Sequence, residues 1–132
     1  MKKIIYYITV ISILIISGCT DREILDLKPG EPIDPVKNLQ YSISGTDVNL
    51  TWTLPSSYPD DIIQPVSIFL RINRDGVTIQ QTTLKDSPTS YVYKSYDALK
   101  KYTIIVKVVG SVNTTDPNVS NLRYSLGASV SF

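Results

Sequence analysis

The sequence predicts an all-β fold, a single β-sandwich of about seven strands that follows a leader peptide. From Pro35 onward, apolar and polar residues alternate in short runs, as expected for strands with one buried face. Turn-forming residues separate these runs, and no segment of about ten residues keeps the spacing of an amphipathic helix. The chain has 132 residues, which leaves room for one domain after the leader.

The first half of the domain predicts two strands and the loop between them. Residues 48–53 alternate between apolar and polar, and Trp52 lies on the apolar face. Residues 55–61, rich in Pro, Ser and Asp, are predicted to form a loop. Alternation resumes at residues 66–72, so a second strand with one buried face follows this loop.

The second half begins with a hairpin and continues with three further strands. The turn formers Asn73-Arg74-Asp75-Gly76 predict that the next segment pairs back on the preceding strand. The remaining predicted segments are a returning strand at 77–84, a short strand at 90–94, the most apolar strand at 102–109, a polar loop at 110–118, and a final strand in which Leu126, Ala128, Val130 and Phe132 alternate.

Residues 1–18 have the three zones of a signal peptide. Lys2 and Lys3 give a positive start, and residues 4–16 form an apolar run of 13 residues. As a helix this run is about 20 Å long, which is too short to span comfortably a bilayer core of about 30 Å. The leader therefore indicates export rather than a membrane-spanning helix.

The end of the leader indicates lipid attachment. Ile16, Ser17, Gly18 and Cys19 resemble the bacterial lipobox, in which small residues precede a cysteine. The resemblance implies that Cys19 is acylated and becomes the first residue of the mature protein, and two or more acyl chains anchor a protein stably. The alternatives are an ordinary secretory signal with an incidental Cys, or a short membrane anchor.

Residues 19–34 are predicted to be a flexible acidic tether, since charged residues alternate there with Pro and Gly. Asp21 and Glu23, interrupted by Arg22, partly resemble the acidic export signal of Bacteroidetes lipoproteins. The chain as a whole resembles short lipoproteins of gut Bacteroidetes. The resemblance implies an outer-membrane lipoprotein of the bacterial envelope that is exposed on the cell surface; the alternative is a charged linker.

A few positions of the domain carry a family resemblance. Pro35 opens it, Trp52 lies on an early strand and is followed by Pro55, and Tyr102 heads a later strand. This pattern resembles a fibronectin type III module, which implies an immunoglobulin-like sandwich over residues 35–132.

The resemblance assigns structural roles to two aromatic residues. Trp52 is expected to fill the core between the sheets, and Tyr102 to bury its ring while its hydroxyl bonds to the backbone, as in a tyrosine corner. Two positions depart from the family pattern: Tyr96 stands where Leu is usual, and residues 99–101 replace the usual Pro-Gly.

Composition excludes several classes of function. The chain has no His and one Cys, so nucleophilic catalysis by a Ser-His or Cys-His pair and zinc sites of Cys and His are excluded. The 13 basic residues against 12 acidic residues give no basic face for nucleic acid. Asp60 and Asp61 form the only adjacent acidic pair of the domain, and a solvated turn explains them better than catalysis or calcium binding. We therefore expect no enzyme, no cofactor and no metal site.

The candidate contacts for a ligand are loop residues, which are predicted to meet at one end of the sandwich. They are Tyr58, Asp60, Asp61, Asn113, Thr114, Thr115 and Asp116. An alternative role for Tyr58 is to cap the edge of the core. The sequence predicts a non-catalytic binding or accessory module, with two rivals: a surface glycan-binding protein of a carbohydrate-uptake system, and an adhesive subunit that pairs through an edge strand.

Overall fold

The structure, a computed structural model, describes residues 30–132. The predicted signal peptide, the lipobox residues Ile16, Ser17 and Gly18, the acylation site Cys19 and the tether up to residue 29 lie outside the described residues. Within the described part, we find no helix with the length and apolar character needed to cross a membrane.

Eight strands make up the described part of the chain. They are β1 (Lys37–Ser44), β2 (Asp47–Thr53), β3 (Ile62–Arg74), β4 (Val77–Leu84), β5 (Ser90–Lys94), β6 (Tyr102–Val112), β7 (Leu122–Tyr124) and β8 (Ala128–Ser131). A smaller sheet has the order β1-β2-β5, and a larger sheet has the order β4-β3-β6, with β7 and β8 both pairing with the free side of β6. All pairs are antiparallel, which confirms the predicted immunoglobulin-like β-sandwich.

The core lies between the two sheets and follows the predicted alternation. The inward-facing residues of β2 are Val48, Leu50 and Trp52, and all three are buried. The alternating positions 66, 68, 70 and 72 of β3 are likewise buried, as are 102, 104, 106 and 108 of β6. Because successive strand residues point to opposite faces, this alternation fixes the side of each strand that enters the core.

Both aromatic residues with predicted structural roles lie in this core. Trp52 is 5% exposed, and its indole N–H donates to the backbone carbonyl of Pro88 at 2.8 Å. Tyr102 is 1% exposed, and its hydroxyl accepts a hydrogen bond from the backbone N–H of Asp97 at 3.2 Å. The Tyr102 ring also packs against Tyr96 and Phe132, with centroid distances of 5.4 and 5.7 Å. The turn before β6 is thus tied to the core through one phenol group.

Removal of the Tyr102 hydroxyl tests this tie. In Tyr102→Phe the ring stays in the core, but the N–H of Asp97 loses its acceptor, so we expect the free energy of unfolding to fall by about 1 kcal/mol. Urea denaturation of the variant and of Tyr124→Phe, which alters an exposed ring, measures the difference. Equal unfolding midpoints for wild type and Tyr102→Phe would show that the bond contributes nothing.

The hairpin between β3 and β4 is confirmed and has a two-residue turn. Asp75 and Gly76 have φ angles of 51° and 83°, the left-handed values that a tight hairpin of this kind requires. The Asp75 carboxylate accepts a hydrogen bond from the Lys101 N–H at 3.1 Å and pairs with Lys100 at 3.2 Å. The Lys101 N–H first, and then Lys100, hold the pKa of the Asp75 carboxyl below its usual value.

The prediction of a single final strand containing Leu126 was wrong. The chain leaves the sheet at 125–127, so that β7 and β8 are separate and Leu126 is 89% exposed. Ser125 causes this break by turning inward: its hydroxyl accepts from the Val108 N–H at 2.9 Å, and its own N–H donates to the Val108 carbonyl. Gly127, with a φ of 94°, then returns the chain to the sheet.

The predicted loop at 110–118 begins too early, because β6 continues to Val112. Gly110 lies within this strand and is buried. A Cβ at this position would lie 2.7 Å from Ile62 Cγ2 and 2.9 Å from Ile33 Cδ1. The glycine is therefore a site of close packing and not the start of a turn.

Packing on the sandwich begins a few residues before Pro35, the position predicted as the start of the domain. Ile33 is 2% exposed and belongs to the core, together with Val36 at 3%. The carbonyl of Glu31 accepts a hydrogen bond from Arg123 at 3.0 Å. Residues 30–34 thus pack on the sandwich, since one apolar side chain among Pro and acidic residues is enough to anchor the segment.

Candidate functional site

Three segments meet at one end of the sandwich, which we call the loop end: residues 30–34, the loop 54–61 and the loop 113–121. The pairing of Ile62 with Val112 places the start of β3 beside the end of β6, so the two loops lie at the same end, as predicted. The N-terminal segment joins them because Ile33 packs beside Gly110.

Arg123 links the segments of the loop end. Its side chain is 9% exposed and extends inward from β7. Its guanidinium donates to both carboxylate oxygens of Asp61, at 2.9 and 2.6 Å, and to the carbonyl of Glu31. Gly30 has a φ of 114°, and a Cβ there would overlap the guanidinium. One side chain therefore connects β7, the loop before β3 and the N-terminal segment.

The ion pair stabilises the charged forms of both Asp61 and Arg123. Hydrogen bonds from Arg123 stabilise the ionised carboxylate, so the pKa of Asp61 is lowered from its ordinary value of 3.8. The same hydrogen bonds raise the pKa of Arg123 above its already high value. Two parallel N–H···O bonds also fix the geometry of the pair, which a lysine would not do.

Acid titration tests the contribution of this pair to stability. The pKa of Asp61 is lower in the folded than in the unfolded chain, so the pair stabilises the fold above the unfolded pKa and the effect is lost as pH falls through the folded pKa. Below about pH 4, Asp61→Asn should lose less stability than wild type. Asp60→Asn, in the same loop, leaves the pair of Asp61 and Arg123 in place and is the control; identical pH profiles for all three proteins would contradict the prediction. Unfolding midpoints in urea from pH 7 to pH 2 measure the profiles.

A shallow cleft of about 360 Å³ opens beside the ion pair. Its lining residues are Gly30, Glu31, Tyr58, Pro59, Asp60 and Asp61. A smaller cleft of about 200 Å³, which includes Pro32, Asp34 and Ser57, adjoins the first at Tyr58. Tyr58 is half-buried and packs against the core, and burial raises the pKa of its hydroxyl. The cleft therefore combines one aromatic wall with acidic side chains.

The predicted contact residues divide into two groups. Tyr58, Asp60 and Asp61 lie together in the cleft, whereas Asn113, Thr114, Thr115 and Asp116 are not among its lining residues. The second group forms a turn of its own. The Thr114 hydroxyl accepts a hydrogen bond from the Asp116 N–H, and the Asp116 carboxylate accepts one from the Asn118 N–H at 2.9 Å. These polar groups stabilise their own loop.

The carboxylates of the cleft make it suited to accept hydrogen bonds from a ligand. Its carboxylates accept hydrogen bonds from hydroxyl or ammonium groups, and the Tyr58 ring offers an apolar surface beside them. Among residues 30–132, no three acidic or sulfur side chains are grouped closely enough to hold a metal ion.

Sequence reasoning missed Arg123, Gly30 and Glu31. Asp61 and Arg123 are 62 residues apart, and no spacing rule connects them. A charged residue on the inward face of a strand requires a charged partner, and this was the one signal that Arg123 offered. The signal could not be used, because β7 itself was not predicted.

Comparisons with known proteins identify a family and a structural likeness. A family model described as Domain of unknown function (DUF4945) matches residues 19–132. No protein among the curated proteins matches the chain. Among solved structures, one described as titin kinase and its flanking domains is similar, with 18% sequence identity and a TM-score of 0.46 over 74% of this chain. The chain spans only 17% of the length of that structure's chain. By the family match, the chain belongs to the DUF4945 family.

Proposed function

We propose that the protein is a lipid-anchored module of the bacterial cell envelope that binds a partner or ligand without catalysis, and that it stands on the outer surface of the outer membrane. The observation that carries this proposal is the position of Cys19, the only Cys of the chain, directly after an apolar run and two small residues. The family match supports it, because the match begins at this same residue.

The packing of residues 30–34 gives the proposed anchor a defined point of attachment. Ten residues separate Cys19 from Gly30, and they reach at most about 35 Å when fully extended. Because Arg123 and Ile33 hold the segment at the loop end, the chain leaves the domain toward the proposed anchor from that end. The hairpin turn at Asp75 and Gly76 lies at the far end and points away from it.

Fatty-acid labelling in a bacterial host tests the anchor. We expect an alkynyl fatty acid to label the wild-type chain, Cys19→Ser to lose the label, and Ser17→Ala to keep it, since that change leaves a small residue before the cysteine. Intact-mass measurement should place the mature N-terminus at Cys19. Persistent label in Cys19→Ser, or an unlabelled wild type, would overturn lipid attachment.

Protease shaving of intact cells tests the surface location. Loss of the domain's antibody signal while periplasmic control proteins stay intact would support exposure on the outside. Full protection would overturn the export-signal interpretation of Asp21 and Glu23, and would place the partner in the periplasm.

The cleft at the loop end supports a glycan or protein ligand as part of this proposal. Tyr58 supplies a ring, and Glu31 and Asp60 supply acceptors for hydroxyl groups. Tyr58→Ala should abolish binding of such a ligand, whereas Thr51→Ala, an exposed position on β2, should not. If Tyr58→Ala still binds the ligand, the cleft is excluded as the binding site.

Pairing through an edge strand is a second candidate function, favoured by one observation. β8 pairs with β6 alone, so within residues 30–132 its other edge has no strand partner. Concentration-dependent dimerisation, measured by sedimentation, would support this role, and a strictly monomeric protein would exclude it.

A further inference from the structure

The outer face of the larger sheet combines cations with aromatic rings. We call this the outer-sheet face; it contains the residues of β3 and β6 that alternate with the buried ones, together with their cross-strand neighbours on β4, β7 and β8. All five strands of the sheet lie within the described residues, and they contain four cations, Arg71, Arg74, Lys107 and Arg123, but no Asp or Glu. Arg123 faces inward to Asp61, and Arg74 ends β3 opposite Tyr102, in the register of the inward-facing positions, which leaves Arg71 and Lys107 near the centre of the face.

Aromatic rings lie beside these two cations. Phe69 is directly opposite Lys107 on the neighbouring strand, and the Arg71 guanidinium lies 5.8 Å from the centre of the Phe69 ring. Tyr124 meets Phe69 edge-to-face, with 6.2 Å between ring centres. Tyr124 is 44% exposed although it is large and aromatic. Aromatic and arginine side chains grouped in this way are typical of binding surfaces.

Polar residues surround a small apolar area that contains the two rings, Val109 opposite Tyr124, and the part-exposed Leu122 beside it on β7. Thr83 and Gln81 lie opposite Phe69 and Arg71 on one side, and Ser67 and Ser129 lie in the neighbouring rows. A protein partner usually requires an extended apolar centre, whereas the hydroxyl and amide groups here confine the apolar area to the rings and their immediate neighbours. Sugars instead present apolar C–H faces for stacking and hydroxyl groups for hydrogen bonds, and both have counterparts on this face.

We propose that the outer-sheet face binds a uronate-bearing polysaccharide, with Tyr124 stacking on a sugar ring and Arg71 and Lys107 pairing with sugar carboxylates. Charge complementarity selects this ligand, since the face has cations and no carboxylate to repel it. Arg71 and Lys107 lie diagonally on adjacent strands, with backbone positions about 7–8 Å apart, so they reach separate carboxylates of an extended chain. An open sheet face suits a polymer laid across the strands rather than an enclosed small molecule.

This inference deepens the proposed binding function and rests on it, but the two fail separately. Binding by purified Cys19→Ser protein would stand even if fatty-acid labelling failed. Conversely, if the chain is labelled and surface-exposed but does not bind polyuronate, the proposed lipid anchor stands and only the ligand assignment is overturned. The face is also separate from the loop-end cleft, since none of its residues lines that cleft.

Binding of the full-length chain, purified in non-ionic detergent, to three immobilised polymers tests the proposal. The polymers are polygalacturonate, its methyl ester as an uncharged matched control, and polyglutamate as a polyanion without sugar. We expect polygalacturonate to bind at least about tenfold more tightly than either control, and binding to weaken as salt is added. Equal affinity for polyglutamate would overturn the sugar assignment, and no binding to polygalacturonate would overturn the whole proposal.

Variants then locate the binding surface. The double change Arg71→Gln and Lys107→Gln, and separately Tyr124→Ala, should each weaken polygalacturonate binding about tenfold. Lys94→Gln, an exposed cation on β5 of the opposite sheet, should leave it unchanged. Tyr124→Phe keeps the ring and should retain most of the affinity. Circular dichroism confirms that each variant is folded, and unchanged binding in both folded test variants would overturn the proposal.

Discussion

Replacement of Trp52 by Ala should lower the free energy of unfolding by about 3–5 kcal/mol. The side chain is 5% exposed, so its removal leaves a large cavity between β2 and the facing sheet. The carbonyl of Pro88 also loses the indole donor at 2.8 Å, which leaves a partly buried acceptor unpaired. A domain of this size has only about 5–15 kcal/mol of stability in total, so this one substitution removes a large share of it.

Two further variants test where this loss of stability comes from. Trp52→Phe keeps an aromatic ring but removes the N–H, and should lose less stability than Trp52→Ala. Thr51→Ala changes the exposed neighbour on the same strand, and should differ from wild type by less than about 0.5 kcal/mol. Because Trp52 is the only Trp, circular dichroism must follow the urea titration instead of fluorescence. A Trp52→Ala protein as stable as wild type would show that the core does not depend on this residue.

Replacement of Ile33 by Ala should cost about 2–5 kcal/mol, although the residue precedes the first strand. Ile33 is 2% exposed, and its side chain packs on β6 in the space that Gly110 leaves because it has no side chain. Its loss leaves a cavity there and releases the segment that carries Glu31 toward Arg123. We therefore expect lower stability together with faster proteolysis of residues 30–36.

Ile63→Ala is the matched control for Ile33→Ala. Ile63 is the same residue type and is 51% exposed, so truncation should change stability by about 0.5 kcal/mol or less. Urea denaturation of the two variants compares a buried and an exposed isoleucine at the same end of the sandwich. Equal effects would show that residues 30–34 do not pack on the domain.

The sheets were predictable wherever one face of a strand is buried, because burial leaves a period of two in the sequence. The alternation at 66–72 predicted both the strand and its inward face, and all four apolar positions are buried. The hairpin was predictable for a different reason: Asp75-Gly76 suits the left-handed backbone that a two-residue turn requires. Both signals are local, so neighbouring residues are sufficient to reveal them.

Features that depend on distant contacts were not predictable. The break between β7 and β8 arises because Ser125 bonds to Val108, which lies on another strand. Leu126 therefore continues the apolar alternation in sequence while it lies in solvent. In the same way, nothing near Asp61 indicates that Arg123 will pair with it. A pattern read along one segment contains no information about the neighbour that will satisfy its polar groups.

The candidate binding surfaces were predicted only in part. Tyr58, Asp60 and Asp61 were found because loop residues stand out between strands, and they share the loop-end cleft. Phe69 and Arg71 were overlooked because they fill the alternate positions of a strand whose buried residues gave the stronger signal. Their significance depends on cross-strand neighbours, Lys107 and Tyr124, which only the register of the sheet brings together.

The contacts of Arg123 also determine how the domain bears mechanical force. Tension on the N-terminal chain arrives at Glu31 and Ile33 before it reaches β1, an edge strand whose only pairing strand within residues 30–132 is β2. Arg123 transfers that load sideways into the larger sheet, through β7 and through Asp61 at the start of β3. The edge strand is thereby shielded from being peeled away one hydrogen bond at a time, because the load first passes through an ion pair that low pH and added salt weaken.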